Sequence, residues 1–237
     1  MADRAVFNAA NPTTNYSGKF TALFSPALDA PNLSPGGYGY AAFTNTTAGN
    51  AAFGGFLADG SFISGGAPIS AGGYLPLFEQ LYSGQGLIMG WLNFTNAPPK
   101  NLFGAVTWIK PASGAHTFYP SGFTNSPVPV LGSEFDLPPT PFLNLTTADL
   151  TFMDGNLRTP LDFTNVAVFA TNAVNLGPSP TNKLAVTFFP SNGTVSITFR
   201  PTGATADTTA SGAVLQNQTN AAGWFKGTNQ TGTFLLR

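Results

Sequence analysis

The sequence predicts an all-β fold, an antiparallel sandwich or barrel built from two similar, duplicated β units, and three observations lead there. First, 27 Gly and 20 Pro interrupt the 237 residues so often that a helix has almost nowhere to form. The longest stretch free of both, Leu161 to Leu176, is β-branched and aromatic at its centre (Phe163-Thr-Asn-Val-Ala-Val-Phe169), which suits a pleated surface. Second, apolar and polar residues alternate with period two in several short runs. Third, 41–60 and 185–203 share one layout of strand, turn, strand and turn.

Taken in order, Lys19–Phe24 is the first strand expected. Tyr40–Phe43 and Ala51–Leu57 flank the turn-rich Thr44–Asn50, and Asp59-Gly60 turns the chain into Ser61–Ser64. Leu87–Phe94 and Leu102–Ile109 complete a first unit over 1–110. Lys110 to Pro141 holds seven prolines and reads as a Pro/Gly-rich connector, 111–141, with room for a functional site. The second unit, 142–237, opens with Phe142–Phe152. Lys183–Phe189 and Thr194–Arg200 then form a hairpin across Pro190–Gly193, with Val195, Ile197 and Phe199 on one face. Thr208–Gln216, Gly223–Gly227 and Gly232–Leu236 close the unit. A Gly-Trp pair recurs at Gly90-Trp91 and Gly223-Trp224, and the recurrence assigns both tryptophans to the core.

Only 8% of the residues are charged, against ~25% in an average soluble domain, and the net charge is −1. Nine scattered cations cannot make a basic stripe, so nucleic acid is not an expected partner. Zero cysteines remove disulfides, thiolate nucleophiles and Cys-based zinc sites. No apolar run approaches the ~18 residues of a membrane helix, and Met1–Phe7 does not read as a leader.

The motifs are mostly turn chemistry. Gly37-Tyr-Gly-Tyr-Ala-Ala42 matches a dinucleotide fingerprint in letters, but it precedes a strand where that site needs a helix N-terminus. His116 is the only histidine, and no Gly-x-Ser-x-Gly elbow accompanies it, so neither a serine triad nor a multi-imidazole metal centre is expected. No cofactor and no metal follow. Carboxylate pairs are the one catalytic chemistry the composition permits. Glu134 and Asp136 at i and i+2 project to one face of an extended chain at a spacing compatible with glycoside hydrolysis, with Glu79 as a third candidate. For binding, Trp108, Tyr119 and His116 stand together at the entrance to the connector. There an aromatic surface among Asn, Gln and Thr would stack on sugar rings.

Several phrases, in one order along the chain, resemble a known group of proteins: Ala2-Asp-Arg-Ala-Val-Phe7, Leu57-Ala-Asp-Gly60, Tyr82-Ser-Gly-Gln-Gly86, Gly90-Trp-Leu-Asn-Phe94, Trp108-Ile-Lys-Pro111, Tyr119-Pro-Ser-Gly-Phe123, Asn182-Lys-Leu184, Gly212-Ala-Val-Leu-Gln-Asn-Gln218 and Gly227-Thr-Asn-Gln230. Together they are similar to the C-terminal β-rich region of large repeat-containing surface or secreted proteins of environmental Gram-negative bacteria. The resemblance implies an exported, non-catalytic module at the cell surface or outside the cell, with Met1 an internal position of a longer protein. Its expected work is adhesion, glycan contact or assembly, with polysaccharide or neighbouring β modules as partners. The alternative is a carbohydrate-active enzyme working through the carboxylates.

Overall fold

Alternating apolar residues need a covered face, and the chain provides two by curling two meanders. The computed structural model describes residues 3–26, 32–136, 143, 145–168, 174–175 and 182–237, with backbone alone at 165–168 and 174–175. The first sheet contains β1 (Gly18–Phe24), β2 (Gly39–Asn45), β3 (Asn50–Phe56), β4 (Phe62–Pro68), β5 (Tyr74–Leu81), β6 (Gly86–Phe94), β7 (Asn101–Lys110) and β8 (Phe123–Glu134). The second contains β9 (Thr147–Asp154), β10 (Leu161–Val168), β11 (Val174–Asn175), β12 (Ala185–Phe189), β13 (Thr194–Phe199), β14 (Thr208–Leu215), β15 (Asn220–Lys226) and β16 (Thr231–Leu236). The order is β4-β3-β2-β1-β8-β7-β6-β5 in one and β11-β10-β9-β16-β15-β14-β13-β12 in the other. All pairs are antiparallel, and in each sheet the first strand pairs with the last, as an up-and-down barrel requires. The fold is therefore all-β, from two similar units, as expected. A single 3-10 turn, Gln216–Gln218, is the one helical element among the described residues. No described helix is long and apolar enough to cross a membrane.

Each unit has its own interior. Phe20, Phe43, Phe94, Leu102 and Val130 fill the first, and Phe152, Phe199, Phe225 and Phe234 fill the second, where the Phe152 and Phe199 rings stack at 4.0 Å. Gly90 and Gly104 face inward on β6 and β7, where a Cβ would lie 2.2 Å from the Ala105 and Trp91 carbonyl oxygens respectively. Only glycine allows the two strands to curl this tightly. Gly212 and Gly223, paired across β14 and β15, do the same in the second unit. In the first unit β4 and β5 lie against each other without a hydrogen-bonded ladder, so the barrel is nearly closed.

The expected connector over 111–141 is corrected by β8. Residues 123–134 form a strand between β1 and β7, so the first unit runs to Glu134, and Phe135 already belongs to the second core. Prolines concealed this strand. β1 pairs with β8 only over Val130–Glu134; at Pro129 the β1 side of the ladder has ended, and the Ser25 amide donates to the Pro129 carbonyl instead. Pro129 therefore accepts from Ser25, one residue past the end of β1, and returns no donor to it, as a proline at the margin of a ladder does. The β12–β13 hairpin pairs as expected, Ala185 with Thr198 through Phe189 with Thr194. Residues 142 and 144 of the strand expected over Phe142–Phe152, and residues 169–173 and 176 of the 161–176 stretch, lie outside the described residues.

The two units pack outer face to outer face. Leu23 and Tyr40 of β1 and β2 meet Ala213, Leu215, Ala222 and Trp224 of β14 and β15 in a third apolar cluster. The Thr21 hydroxyl donates to the Val214 carbonyl inside this contact, and the Tyr38 amide donates to the Gly223 carbonyl at 3.1 Å.

Candidate functional site

The three expected carboxylates have different surroundings. Glu134, at the end of β8, accepts from Lys100 at 2.9 Å, and the Asp136 backbone is held by Gln216 while its side chain is exposed. Glu79 lies on β5 opposite Ile88, whose β7 partner is Trp108, so it sits toward the far end of the sheet. About eight residues of strand, ~26 Å, separate that level from Lys100. Among the described residues no three His, Asp or Glu side chains gather as metal ligands.

The three expected binding residues do gather in one region, Trp108 and Tyr119 beneath the surface and His116 partly exposed. Trp108 points inward from β7 and is 4% exposed, and Tyr119 is buried too. Neither offers a face to a sugar. The Trp108 indole Nε1 donates to the Tyr82 hydroxyl at 3.0 Å, and Tyr82 donates to Asp59 Oδ2 at 2.7 Å. Lys110 Nζ reaches the same oxygen at 2.7 Å and lies 4.6 Å from the centroid of the Tyr82 ring. The Ser61 amide donates to the other oxygen of Asp59 at 2.9 Å. The His116 ring sits 5.5 Å from Tyr82, and Phe123 packs edge-on to both Trp108 and Tyr119. From the loop after β7, Tyr119 reaches across to the second unit, where its hydroxyl accepts from the Thr231 amide at 2.8 Å. Burial, with the Asp59 charge second, pushes the Tyr82 phenol far above the ordinary tyrosine value; burial likewise raises Tyr119. Asp59, Lys110 and Tyr82 were missed in the sequence reading because each lies in a separate turn or strand end, and only barrel curvature brings them together. The arrangement ties the turn after β3, the start of the β5–β6 turn, the end of β7 and, through Tyr119, β16. Its chemistry is structural: a closed ion pair with no open side.

What is open is the outer face of β5–β8. The register aligns Tyr74, Asn93, Phe103 and Leu131 in one row, and Pro76, Trp91, Ala105 and Pro129 in the next. Phe78, Met89 and Thr107 follow. Trp91, at the centre, is 61% exposed, and Tyr74, Phe78, Met89, Phe103 and Leu131 are each exposed as well. The assignment of Trp91 to the core is therefore corrected, while Trp224, at 8%, is covered. Both tryptophans follow an inward glycine and so point outward. What differs is whether another sheet lies over them. The three rows carry no charge. Asn93 donates to the Gly72 carbonyl at 3.0 Å, Thr107 shares a 2.7 Å hydrogen bond with Ser126, and the Tyr74 hydroxyl adds a third polar group at the β5 edge of the face.

No protein-family profile matches the chain, and no curated protein matches it. A solved structure of a protein of unknown function from the DUF3598 family of Nostoc punctiforme is weakly similar, with 8% identity over 94% of this chain and 95% of that one, at a TM-score of 0.27.

Proposed function

We propose that this is a non-catalytic β module that works by surface contact, with the outer face of β5–β8 as the contact surface. The observation that carries the reading is the uncharged row around Trp91, with five further large apolar or aromatic side chains exposed beside it. Six exposed apolar side chains of this size offer on the order of 600 Å², at the upper end of what single soluble chains leave uncovered. Of adhesion, glycan contact and assembly, the face favours assembly with other β modules. Sugar recognition pairs an aromatic platform with a ring of donors and acceptors, and on this face Asn93, Thr107 and the Tyr74 hydroxyl stand among mostly apolar side chains. The extracellular setting belongs to the same proposal and rests on the resemblance in sequence.

Precipitation by ammonium sulfate tests it, because the salt strengthens apolar association. Trp91→Arg should raise the salt concentration needed to precipitate the chain, and a panel of insoluble polysaccharides should retain neither protein. Retention that disappears in Trp91→Arg would reassign the face to glycan. An unchanged precipitation threshold would remove its role in contact.

A further inference from the structure

We infer that the occupant of the open β5–β8 face is a second copy of this chain, in an isologous contact centred on Trp91. The inference rests on the reading of that face as a contact surface and names its partner. Three observations point the same way.

The first is topological. Counting from the end of each meander, β6 and β7 hold the places in the first unit that β14 and β15 hold in the second. In the second unit this outer face is covered, and what covers it is another outer face of the same chain, β1 and β2 with Leu23 and Tyr40. In the first unit the corresponding face is bare. The chain therefore contains one solved example of how this surface is satisfied, sheet against sheet with a tryptophan in the contact.

The second is continuity. Leu131 on β8 pairs directly with Leu23 on β1, so the open face runs without interruption into the existing contact between units. A sheet laid over β5–β8 would extend that apolar layer rather than begin a separate one. Adding the exposed Pro76, Ala105 and Pro129 to the six larger side chains brings the area toward the ~800 Å² per partner of a stable interface.

The third is self-complementarity. An isologous contact sets a patch against its own rotated copy, so a face with charges of one sign would repel itself. This face has none. Along its central row Trp91 stands beside the small Ala105 and flat Pro129, a high point next to low ones. Rotated about a two-fold axis between them, each indole would lie over the low part of the other copy. Packing of two sheets at ~10 Å separation accommodates side chains of this size.

Sedimentation equilibrium on the full chain, from sub-micromolar to about 100 µM, tests the inference. The expected result is a monomer–dimer equilibrium that Trp91→Arg weakens by at least tenfold, as removal of a central aromatic anchor does. Phe62→Arg, at an equally exposed aromatic on β4 outside the face, should leave it unchanged. The thermal midpoint of each variant, measured on the monomer at the lowest concentration, confirms that the fold is intact. A monomer at every concentration overturns the second copy as occupant, and so does a dimer lost in Phe62→Arg but kept in Trp91→Arg. If the monomeric chain still binds another β module or a polysaccharide through Trp91, the contact reading survives without the dimer. If it binds neither, both fail.

Discussion

Asp59 shows most clearly what a single residue does in this fold. Its side chain is 1% exposed and that of Lys110 5%, so neither charge has water to return to if the other is removed. Asp59→Asn or Lys110→Met alone should therefore cost about 3–5 kcal/mol of unfolding free energy. The double variant should recover part of that loss, because it leaves no unpaired charge. A double-mutant cycle by urea denaturation measures the coupling. Tyr82 adds a pH signature. Its folded-state value lies above the ordinary 10.0, so the phenol contributes stability that is complete below pH 10 and is lost as pH rises beyond it, where the unfolded chain ionises and the folded one resists. Unfolding free energy should be flat with respect to this group up to about pH 9 and decline above 10. Tyr82→Phe should flatten that alkaline decline while leaving a residue of it from Tyr40 and Tyr119, both also raised by burial.

At the scale of the element, inward glycines decide how far each meander curls. Adding a methyl at Gly223 places a carbon 2.1 Å from the Ser211 carbonyl oxygen, which no side-chain rotation relieves. Gly223→Ala should destabilise by at least about 2–3 kcal/mol, the cost of overpacking a closed interior, with the loss read as a lower urea midpoint. The strands that sequence reading located were those with clean alternation, such as β12 and β13. Two that it missed, β5 and β8, carry Pro76, Pro127 and Pro129, and both tolerate proline where the ladder on one side is absent or ends. The residues of the buried site were half legible. Trp108, Tyr119 and His116 cluster in the sequence, and so they cluster in space. Whether an outward or inward position is covered depends on which sheet lies over it, and nothing local to Gly90-Trp91 distinguishes it from Gly223-Trp224.

At the scale of the molecule, the scarcity of charge has two causes. Part of it follows from the contact between units, where the outer faces of β1, β2, β14 and β15 are apolar because they are interior to the pair. Another part lies on β5–β8, where an equally uncharged face is bare. Trp224→Ala should loosen the contact between units and split a single unfolding transition into two, resolved by calorimetry, whereas Trp91→Ala should leave unfolding of the monomer cooperative and unchanged. Acrylamide quenching of tryptophan fluorescence measures most directly whether the β5–β8 face is built to be covered. Trp91 is the exposed indole among three, so it dominates the quenchable signal of the dilute chain. With rising protein concentration the quenchable fraction should fall as Trp91 is buried, and Trp91→Phe should abolish the concentration dependence. A quenchable fraction that stays constant at every concentration, with Trp91 as accessible in the concentrated chain as in the dilute one, would contradict a face built to be covered.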